Sequence, residues 1–117
     1  MLIRQSAELI MIKYYEAIQK FHAKHKMKGT NNEDMTFRLN LMTEELGELA
    51  QAVTKGKPRK KFIEENVDLF YLIIGNLIST GVTLEEFDKA FWKKNKKIMN
   101  RKKKKVNGKF RVSEFRK

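Results

Sequence analysis

The residues best suited to chemistry in this chain are four carboxylates, arranged as two pairs with the same spacing. Glu45 and Glu48 are three residues apart, and Glu65 and Asp68 repeat that spacing further along the chain. Residues three apart share one face of an α-helix. Two such pairs on neighbouring helices would place four oxygen ligands around one point. A hard divalent cation such as Mg2+ requires ligands of this kind.

Acidic residues three apart are also common on solvated helix faces. The alternative for each pair is therefore a solvent-exposed face that binds no metal. Asp68 argues against it for the second pair, because the segment 67–78 is apolar at nearly every position. We therefore expect Asp68 to be buried. A lone buried carboxylate is costly unless it is paired, protonated or bound to a metal. The sequence favours a cation held between the two pairs.

Apolar residues at spacings of three and four predict the helices that must position these acids. The predicted helices cover about residues 6–26, 33–54 and 59–80, and a fourth starts at Thr83 and continues into the lysines. Asn32 and Thr83 are candidate N-caps, and Gly56 and Pro58 terminate the second helix. Short connections between four helices indicate an all-α four-helix bundle. The segment 106–115 is left open between a hairpin and an ordered tail.

Three of the predicted helices carry an apolar stripe that we expect to face the core. These stripes are Leu9, Ile10, Tyr14, Ala17, Ile18 and Phe21; Leu39, Met42, Leu46, Leu49 and Val53; and Leu84, Phe87, Phe91 and Ile98. The third helix is instead apolar all round. Such a helix is buried on all sides, and a chain of 117 residues cannot readily cover it alone. We therefore expect an oligomer that covers its outer face.

The positive charge of the chain is concentrated at its C-terminal end. The formal net charge is +12, yet the 13 Lys and Arg residues up to Trp92 are balanced by 13 acids. From Lys93 onward, 13 cations face one acid, Glu114. We expect a helical domain at residues 1–101 and a basic tail at residues 102–117. The tail favours polyanions, and a solubilising tail is the alternative.

Composition excludes some classes of site and location. The chain has no cysteine, so neither disulfides nor thiolate metal sites can form. The longest apolar run, at residues 69–74, is far shorter than a membrane span, and we see no signal peptide. We expect a cytoplasmic protein with no membrane partner. His22 and His25 have no third ligand nearby, and we expect both to lie at the surface.

The two acid motifs resemble those of a known family. Glu44-Glu45-Leu46-Gly47-Glu48 and, 16 residues later, Glu65-Asn66-Val67-Asp68 are similar to the EExxE…ExxD signature of MazG-like all-α nucleoside triphosphate pyrophosphohydrolases. The resemblance extends over about residues 15–101. It implies a homodimer or homotetramer that hydrolyses NTPs or dNTPs to the monophosphate and pyrophosphate with Mg2+, for which Mn2+ is a possible substitute.

The resemblance also assigns roles to individual residues. The implied metal ligands are Glu45, Glu48, Glu65 and Asp68. Glu44, matching the first acid of the motif, would be either a weaker metal ligand or a group that orients water, and Glu44 or Glu48 would accept the proton of that water. The implied phosphate-binding residues on the last helix are Lys94, Asn95, Lys97 and Arg101. For these four, a solvated lysine face is the alternative.

Two other functions are compatible with the sequence. One is a nucleic-acid-binding helical module that acts through the basic tail. The other is a related pyrophosphohydrolase that acts on phosphoribosyl-ATP, because the acid motif holds metal and phosphates without contacting the base. The preferred base and sugar, and the choice between dimer and tetramer, are left open.

Overall fold

The computed structural model describes residues 2–27 and 32–113, with side chains for 9–27 and 35–113. These residues form four helices and one β-hairpin, and the prediction of an all-α fold is confirmed. The elements are α1 (Leu2–Lys24), α2 (Asn32–Thr54), α3 (Arg59–Ser79), α4 (Leu84–Met99), β1 (Lys102–Val106) and β2 (Lys109–Ser113).

The chain divides into two compact units, one up to Leu84 and one from Glu85 onward. Helices α1 to α3 make up the first unit, and nearly all of α4 lies with the hairpin in the second. The predicted division between residues 101 and 102 rests on charge and stays a prediction.

A tight turn joins α2 to α3 and sets the direction of both helices. Gly56 has a φ of +59°, a backbone conformation that glycine adopts without steric cost. The amide of Lys57 donates to the carbonyl of Ala52 at 3.0 Å, which is the bond that closes a helix C-terminus of this type. Pro58 follows and precedes the first residue of α3. Gly56 and Pro58 therefore follow the last residue of α2, Thr54, as predicted. Its predicted cap, Asn32, begins the helix, but that side chain lies outside the described residues.

Within the first unit, α3 packs against both α2 and α1. The apolar core contains Ile18, Ala52 and Ile74, one from each helix. The ring of Phe21 meets that of Tyr71 edge-on, with centroids 5.4 Å apart. The Tyr15 hydroxyl also donates to the carbonyl of Val82 at 2.9 Å. These contacts fix α1 along the length of α3.

The apolar stripe predicted for α2 is only partly correct, because Met42 and Leu49 are half-buried but the other three residues are exposed. Leu39, Leu46 and Val53 were expected inside, yet they are 55%, 58% and 62% exposed. The inward line instead includes Arg38, which is buried, and Glu45, which is half-buried. These two polar side chains take inward positions because groups on α3 surround them, as described below. The stripe on α1 is likewise only partly correct, because Ile18 is buried but Leu9, Ile10, Tyr14 and Phe21 are exposed.

Helix α3 is not buried on all sides in a single copy of the chain. Its outer face exposes Phe62, Ile63, Val67 and Ile73. With α1 it borders an open apolar groove of about 860 Å³ whose lining includes Tyr14, Phe62 and Val67. None of the helices in the described part of the chain is by itself long and apolar enough to cross a membrane.

The second unit has an exposed helix and a short hairpin. Helix α4 has no fully buried residue, and two residues of its predicted stripe, Phe91 and Ile98, are 52% and 42% exposed. The hairpin is the observed form of the segment left open by the sequence, but it begins at Lys102, earlier than expected. Its turn uses Asn107 and Gly108, with φ of +49° and +80°. Positive φ at both turn residues matches the twist of a two-residue hairpin.

Candidate metal centre

The two acid pairs meet where α2 and α3 pack together. Because the turn at Gly56 reverses the chain, the end of α2 runs alongside the start of α3. One carboxylate oxygen from each acid can be chosen so that all four lie within 4.8 Å of one another; the acids are Glu45, Glu48, Glu65 and Asp68. The convergence predicted from helical spacing is therefore present.

The four acids differ in burial, and the expectation for one of them is wrong. Asp68 is exposed, whereas Glu65 is the buried member of its pair, at 1% exposure. Residues three apart differ by about 60° around a helix. Glu65 points at α2, and Asp68 is rotated from it toward solvent. On α2, Glu45 is half-buried and Glu48 is exposed. The cluster therefore has one buried side and one side open to solvent.

A lysine on α3 partly neutralises the cluster. Lys61 Nζ lies 3.0 Å from Glu65 Oε1 and 3.9 Å from Glu64 Oε2. The hydrogen bond from Lys61 holds the pKa of Glu65 below its ordinary value, although burial acts in the opposite direction. The same contact raises the pKa of Lys61. Sequence analysis missed Lys61, and its signal was the spacing of four residues from Glu65, which pairs opposite charges on a helix.

Glu45 has the opposite electrostatic environment. Burial raises the pKa of this carboxyl, and the neighbouring charges of Glu48, Asp68 and Glu65 raise it further. Its ionised form is therefore disfavoured when no cation is bound between the pairs. A divalent ion at this point would reverse that effect by supplying the missing positive charge.

The donor set fits a hard divalent cation. Glu45 Oε2 and Glu65 Oε2 are both buried and accept no hydrogen bond within the described part of the chain. An unpartnered buried carboxylate oxygen is costly, and direct ligation would satisfy both atoms. All four donors are carboxylate oxygens, which Mg2+ and Mn2+ prefer. Lys61 adds one positive charge against four carboxylates, so the cluster retains the negative charge that attracts such an ion.

The other predicted site residues are outside this cluster. Glu44 is exposed and does not belong to the four converging acids. Lys94 and Lys97 are exposed on α4, Asn95 is half-buried there, and Arg101 is half-buried just after that helix. The roles assigned to these five residues in water activation and phosphate binding stay predictions.

A second polar cluster, also missed, crosses the core of the first unit. Arg38 is buried; its Nε donates to Asn76 Oδ1 at 2.8 Å and its Nη2 donates to the Leu72 carbonyl at 3.0 Å. His22 is 5% exposed, so its predicted surface position is wrong, whereas His25 is exposed. Burial and the nearby charge of Arg38 lower the pKa of His22.

The absence of a side chain at Gly75 on α3 leaves room for the side chains of Arg38 and His22. A Cβ at Gly75 would lie 2.9 Å from His22 Nε2 and would overlap the guanidinium of Arg38. The absence of a side chain therefore lets two large polar groups from α1 and α2 reach the backbone of α3. The sequence signal was a glycine, followed by an asparagine, inside the otherwise apolar segment 69–78.

Comparison with known families agrees with the geometry. Residues 12–95 match the family model described as phosphoribosyl-ATP pyrophosphohydrolase. The match covers most of the chain and includes both acid pairs, and it ends at Asn95. No curated protein and no protein of solved structure gives a significant match. The chain therefore belongs to the phosphoribosyl-ATP pyrophosphohydrolase family, a MazG-like all-α group, and its activity is that of a nucleotide pyrophosphohydrolase.

Proposed function

We propose that this member of the phosphoribosyl-ATP pyrophosphohydrolase family hydrolyses nucleoside triphosphates, NTP or dNTP, to the monophosphate and pyrophosphate in a Mg2+-dependent reaction. The observation that carries the proposal is the convergence of four carboxylates within 4.8 Å at the contact of α2 and α3. A triphosphate and an acidic cluster repel each other, and a shared divalent cation removes that repulsion. The activity would serve nucleotide-pool housekeeping in the cytoplasm.

The four converging acids would hold the metal. When bound, Mg2+ would offset phosphate charge and act as a Lewis acid at the reacting phosphorus. The buried Glu65 and the half-buried Glu45 provide the fixed side of the site, because packing restricts their rotamers. Glu48 and Asp68, which are exposed, provide the side that faces incoming substrate.

The remaining steps would be carried out by a general base and by phosphate-binding residues. Water attacks the α-phosphorus, the bond to the oxygen bridging to the β-phosphorus breaks, and pyrophosphate leaves with the electron pair. Glu44 or Glu48 accepts the proton of the attacking water as general base. Both carboxylates are exposed and are therefore accessible to that water. Lys94 and Asn95, with Lys97 or Arg101, would bind the phosphates of the substrate.

Phosphoribosyl-ATP is the second candidate substrate, and the family match favours it. It carries the same triphosphate, and cleavage at the same bond releases the same pyrophosphate. The acid cluster therefore supports both substrates equally, because its donors face metal and phosphate. Residues that contact the base or the added ribose phosphate would decide between the two.

We further propose that the active form is a homodimer or homotetramer. Two apolar surfaces support this. The outer face of α2 exposes Leu39, Leu46 and Val53 at intervals of seven residues, and α3 exposes Ile63 and Val67. A repeat of seven is the spacing at which one helix packs along another. A second copy of this chain offers the same surfaces and would cover them in a symmetric pair.

The function is tested by measuring pyrophosphate release from purified protein. The substrates are the canonical NTPs and dNTPs, a few modified dNTPs and phosphoribosyl-ATP, each with Mg2+ and with EDTA. We expect Mg2+-dependent release from at least one substrate. Asp68→Asn should reduce kcat at least ~100-fold, because changes even to groups that only support a metal ligand cost 10- to 100-fold.

The matched control is Glu64→Gln. Glu64 is an exposed acid on the same helix but is not one of the four converging acids, so this variant should retain activity. Release from phosphoribosyl-ATP alone would overturn the NTP assignment in favour of the second candidate. No release from any substrate, or equal activity of the Asp68 variant and wild type, would overturn the proposed metal-dependent enzyme.

A further inference from the structure

The C-terminal hairpin concentrates positive charge on a defined scaffold. Its twelve residues, 102–113, contain six cations and no acid. Every residue from Lys102 to Val112 is exposed. The family match ends at residue 95, so the hairpin lies outside the matched pyrophosphohydrolase domain.

The strand register distributes the cations over both faces of the hairpin. Lys104 lies opposite Arg111, and Lys105 lies opposite Phe110. Because side chains alternate along a strand, one face carries four cations, which we call the basic face: Lys102, Lys104, Lys109 and Arg111. The other face, which we call the mixed face, carries Lys103, Lys105, Phe110 and Val112.

Phe110 is the most exposed aromatic side chain in the described part of the chain, at 67%. Lys103 Nζ lies 4.6 Å from the centre of its ring, a cation–π distance. An exposed aromatic ring flanked by lysines is the arrangement on which nucleic-acid bases stack while phosphates contact the cations. The mixed face therefore offers both kinds of contact within one short strand pair.

We propose that the hairpin binds single-stranded nucleic acid, with phosphates along the cations and a base stacked on Phe110. Five residues of extended strand span about 17 Å, which exceeds the length of one triphosphate and accommodates several phosphates at 3.4 Å or more per nucleotide. A flat anionic bilayer would contact one face only, whereas a flexible strand can follow cations on both. This binding is independent of the proposed catalytic function.

The test is fluorescence anisotropy of the full-length protein with labelled 20-nucleotide oligo(dT) and oligo(rU), in EDTA so that catalysis does not interfere. The hairpin variant replaces the four cations of the basic face with Gln. The matched control replaces four exposed lysines of the first unit, Lys20, Lys24, Lys55 and Lys57, with Gln. Both variants lose the same net charge, so only the location of the charge differs.

We expect the hairpin variant to bind at least ~30-fold more weakly at 100 mM salt. Its plot of log affinity against log salt should be shallower by about 3, because each phosphate contact on a single strand contributes about 0.7. The control variant should bind within a few-fold of wild type. A version with arginine at the three lysines of the basic face should retain binding. Helical circular dichroism of each variant reports the fold of the domain.

A single substitution tests stacking separately from charge. Phe110→Leu keeps an apolar side chain and every cation, and we expect about tenfold weaker binding, within the range measured for losing one base–aromatic stack. Equal losses in the two four-residue variants would overturn the hairpin as the site. So would binding to phosphatidylserine vesicles without binding to either oligonucleotide. A 20-base-pair duplex is measured alongside; stacking on Phe110 would be overturned if the duplex bound as tightly as the single strands and Phe110→Leu did not weaken binding.

Discussion

Lys61 Nζ lies 3.0 Å from Glu65 Oε1, so a lysine one turn earlier on α3 neutralises the most buried carboxylate of the candidate metal centre. The pair leaves Glu65 Oε2 without a hydrogen bond from any described residue. One oxygen of Glu65 is thus held by the lysine and the other is available for a metal. Lys61 and a bound metal ion are both cations that interact with the same acids. The charge of Lys61 therefore weakens metal binding, and a bound metal weakens the Lys61–Glu65 ion pair.

Replacing Lys61 with Met should distinguish the effect of the lysine from that of the metal ion. We expect a lower Tm in EDTA, because Glu65 then remains buried among acids with no neighbouring ammonium group. We also expect tighter Mg2+ binding and a larger Mg2+-induced rise in Tm, because the competing charge is gone. Isothermal calorimetry and thermal melts measure both effects. Lys60→Met removes an exposed charge from the adjacent position and should change neither. Unchanged Mg2+ affinity in Lys61→Met would contradict competition at Glu65.

Removing the metal should lower the stability of the wild-type protein. A ligand that binds only the folded state at 100 times its Kd adds about 2.7 kcal/mol, which for a domain of this size corresponds to roughly 10 °C in Tm. Mg2+ and Mn2+ should therefore raise the Tm above its value in EDTA. In Asp68→Asn this rise should disappear, while the Tm in EDTA should equal or exceed that of wild type because one like charge is gone. A metal-induced rise that survives in Asp68→Asn would place the binding site elsewhere.

Local sequence rules predicted the helices and the meeting of the acids, because both depend on short-range spacing. Gly56 and Pro58 terminate α2 as their conformational preferences require. Acids three residues apart share one face of a helix, so two such pairs can meet where the helices pack. The meeting of the pair on α2 with the pair on α3 was predicted from this spacing and from the tight turn between the helices.

The burial of individual side chains was predicted less well, because it depends on partners distant in sequence. Arg38 faces inward because Asn76 and the Leu72 carbonyl on another helix accept its hydrogen bonds. Its inward position turns Leu39 outward, so the apolar pattern of α2 predicted the wrong side for Leu39. Asp68 was expected to be buried because its neighbours in sequence are apolar. The face of α3 that packs against α2 instead carries Glu65. Exposed apolar residues such as Leu46 and Val53 follow the same helical spacing as core residues, so their spacing in the sequence does not show which of them are buried.

Adding a side chain at Gly75 should disrupt the polar cluster of the core. In Gly75→Ala the new Cβ would overlap the Arg38 guanidinium and press on His22 Nε2, and overpacking of this kind costs about 1–3 kcal/mol. The free energy of unfolding in urea measures the loss. Gly47→Ala is the matched control, because nothing lies within 4 Å of a Cβ at that helical position. That change should raise stability by up to ~1 kcal/mol, the difference in helix propensity. A neutral Gly75→Ala would contradict the tight packing of Arg38 against α3.

His22 should make folding stability depend on pH near neutrality. Burial and, to a smaller extent, the charge of Arg38 lower the pKa of His22 in the folded protein. In the unfolded chain the pKa of this histidine is about 6.5. The unfolded state therefore takes up the proton first, so the stability due to neutral His22 is complete above about pH 6.5 and is lost as the pH falls toward the folded pKa. Over that interval the free energy of unfolding should fall by up to about 1.4 kcal/mol per pH unit.

Urea unfolding of wild type and His22→Gln between pH 5.5 and 7.5 isolates this contribution. The variant should show a flatter dependence on pH than wild type, because one titrating group is missing. Gln19→Ala, a change at an exposed, non-titrating position of the same helix, is the control and should keep the wild-type dependence. Identical pH profiles for wild type and His22→Gln would contradict a depressed pKa at His22.

Placing a charge on the exposed apolar faces of the first unit should dissociate the proposed oligomer. Val53 on α2 is 62% exposed and Ile63 on α3 is 49% exposed, and neither belongs to the acid cluster. A lysine buried by a second copy at either position would be desolvated without a partner, which is strongly unfavourable. Light scattering coupled to size exclusion should give a multiple of 13.9 kDa for wild type and the monomer mass for at least one of Val53→Lys and Ile63→Lys. Met99→Lys, at a 75% exposed position of the second unit, should leave the wild-type mass unchanged. A monomeric wild type would mean that these faces are not covered by a second copy.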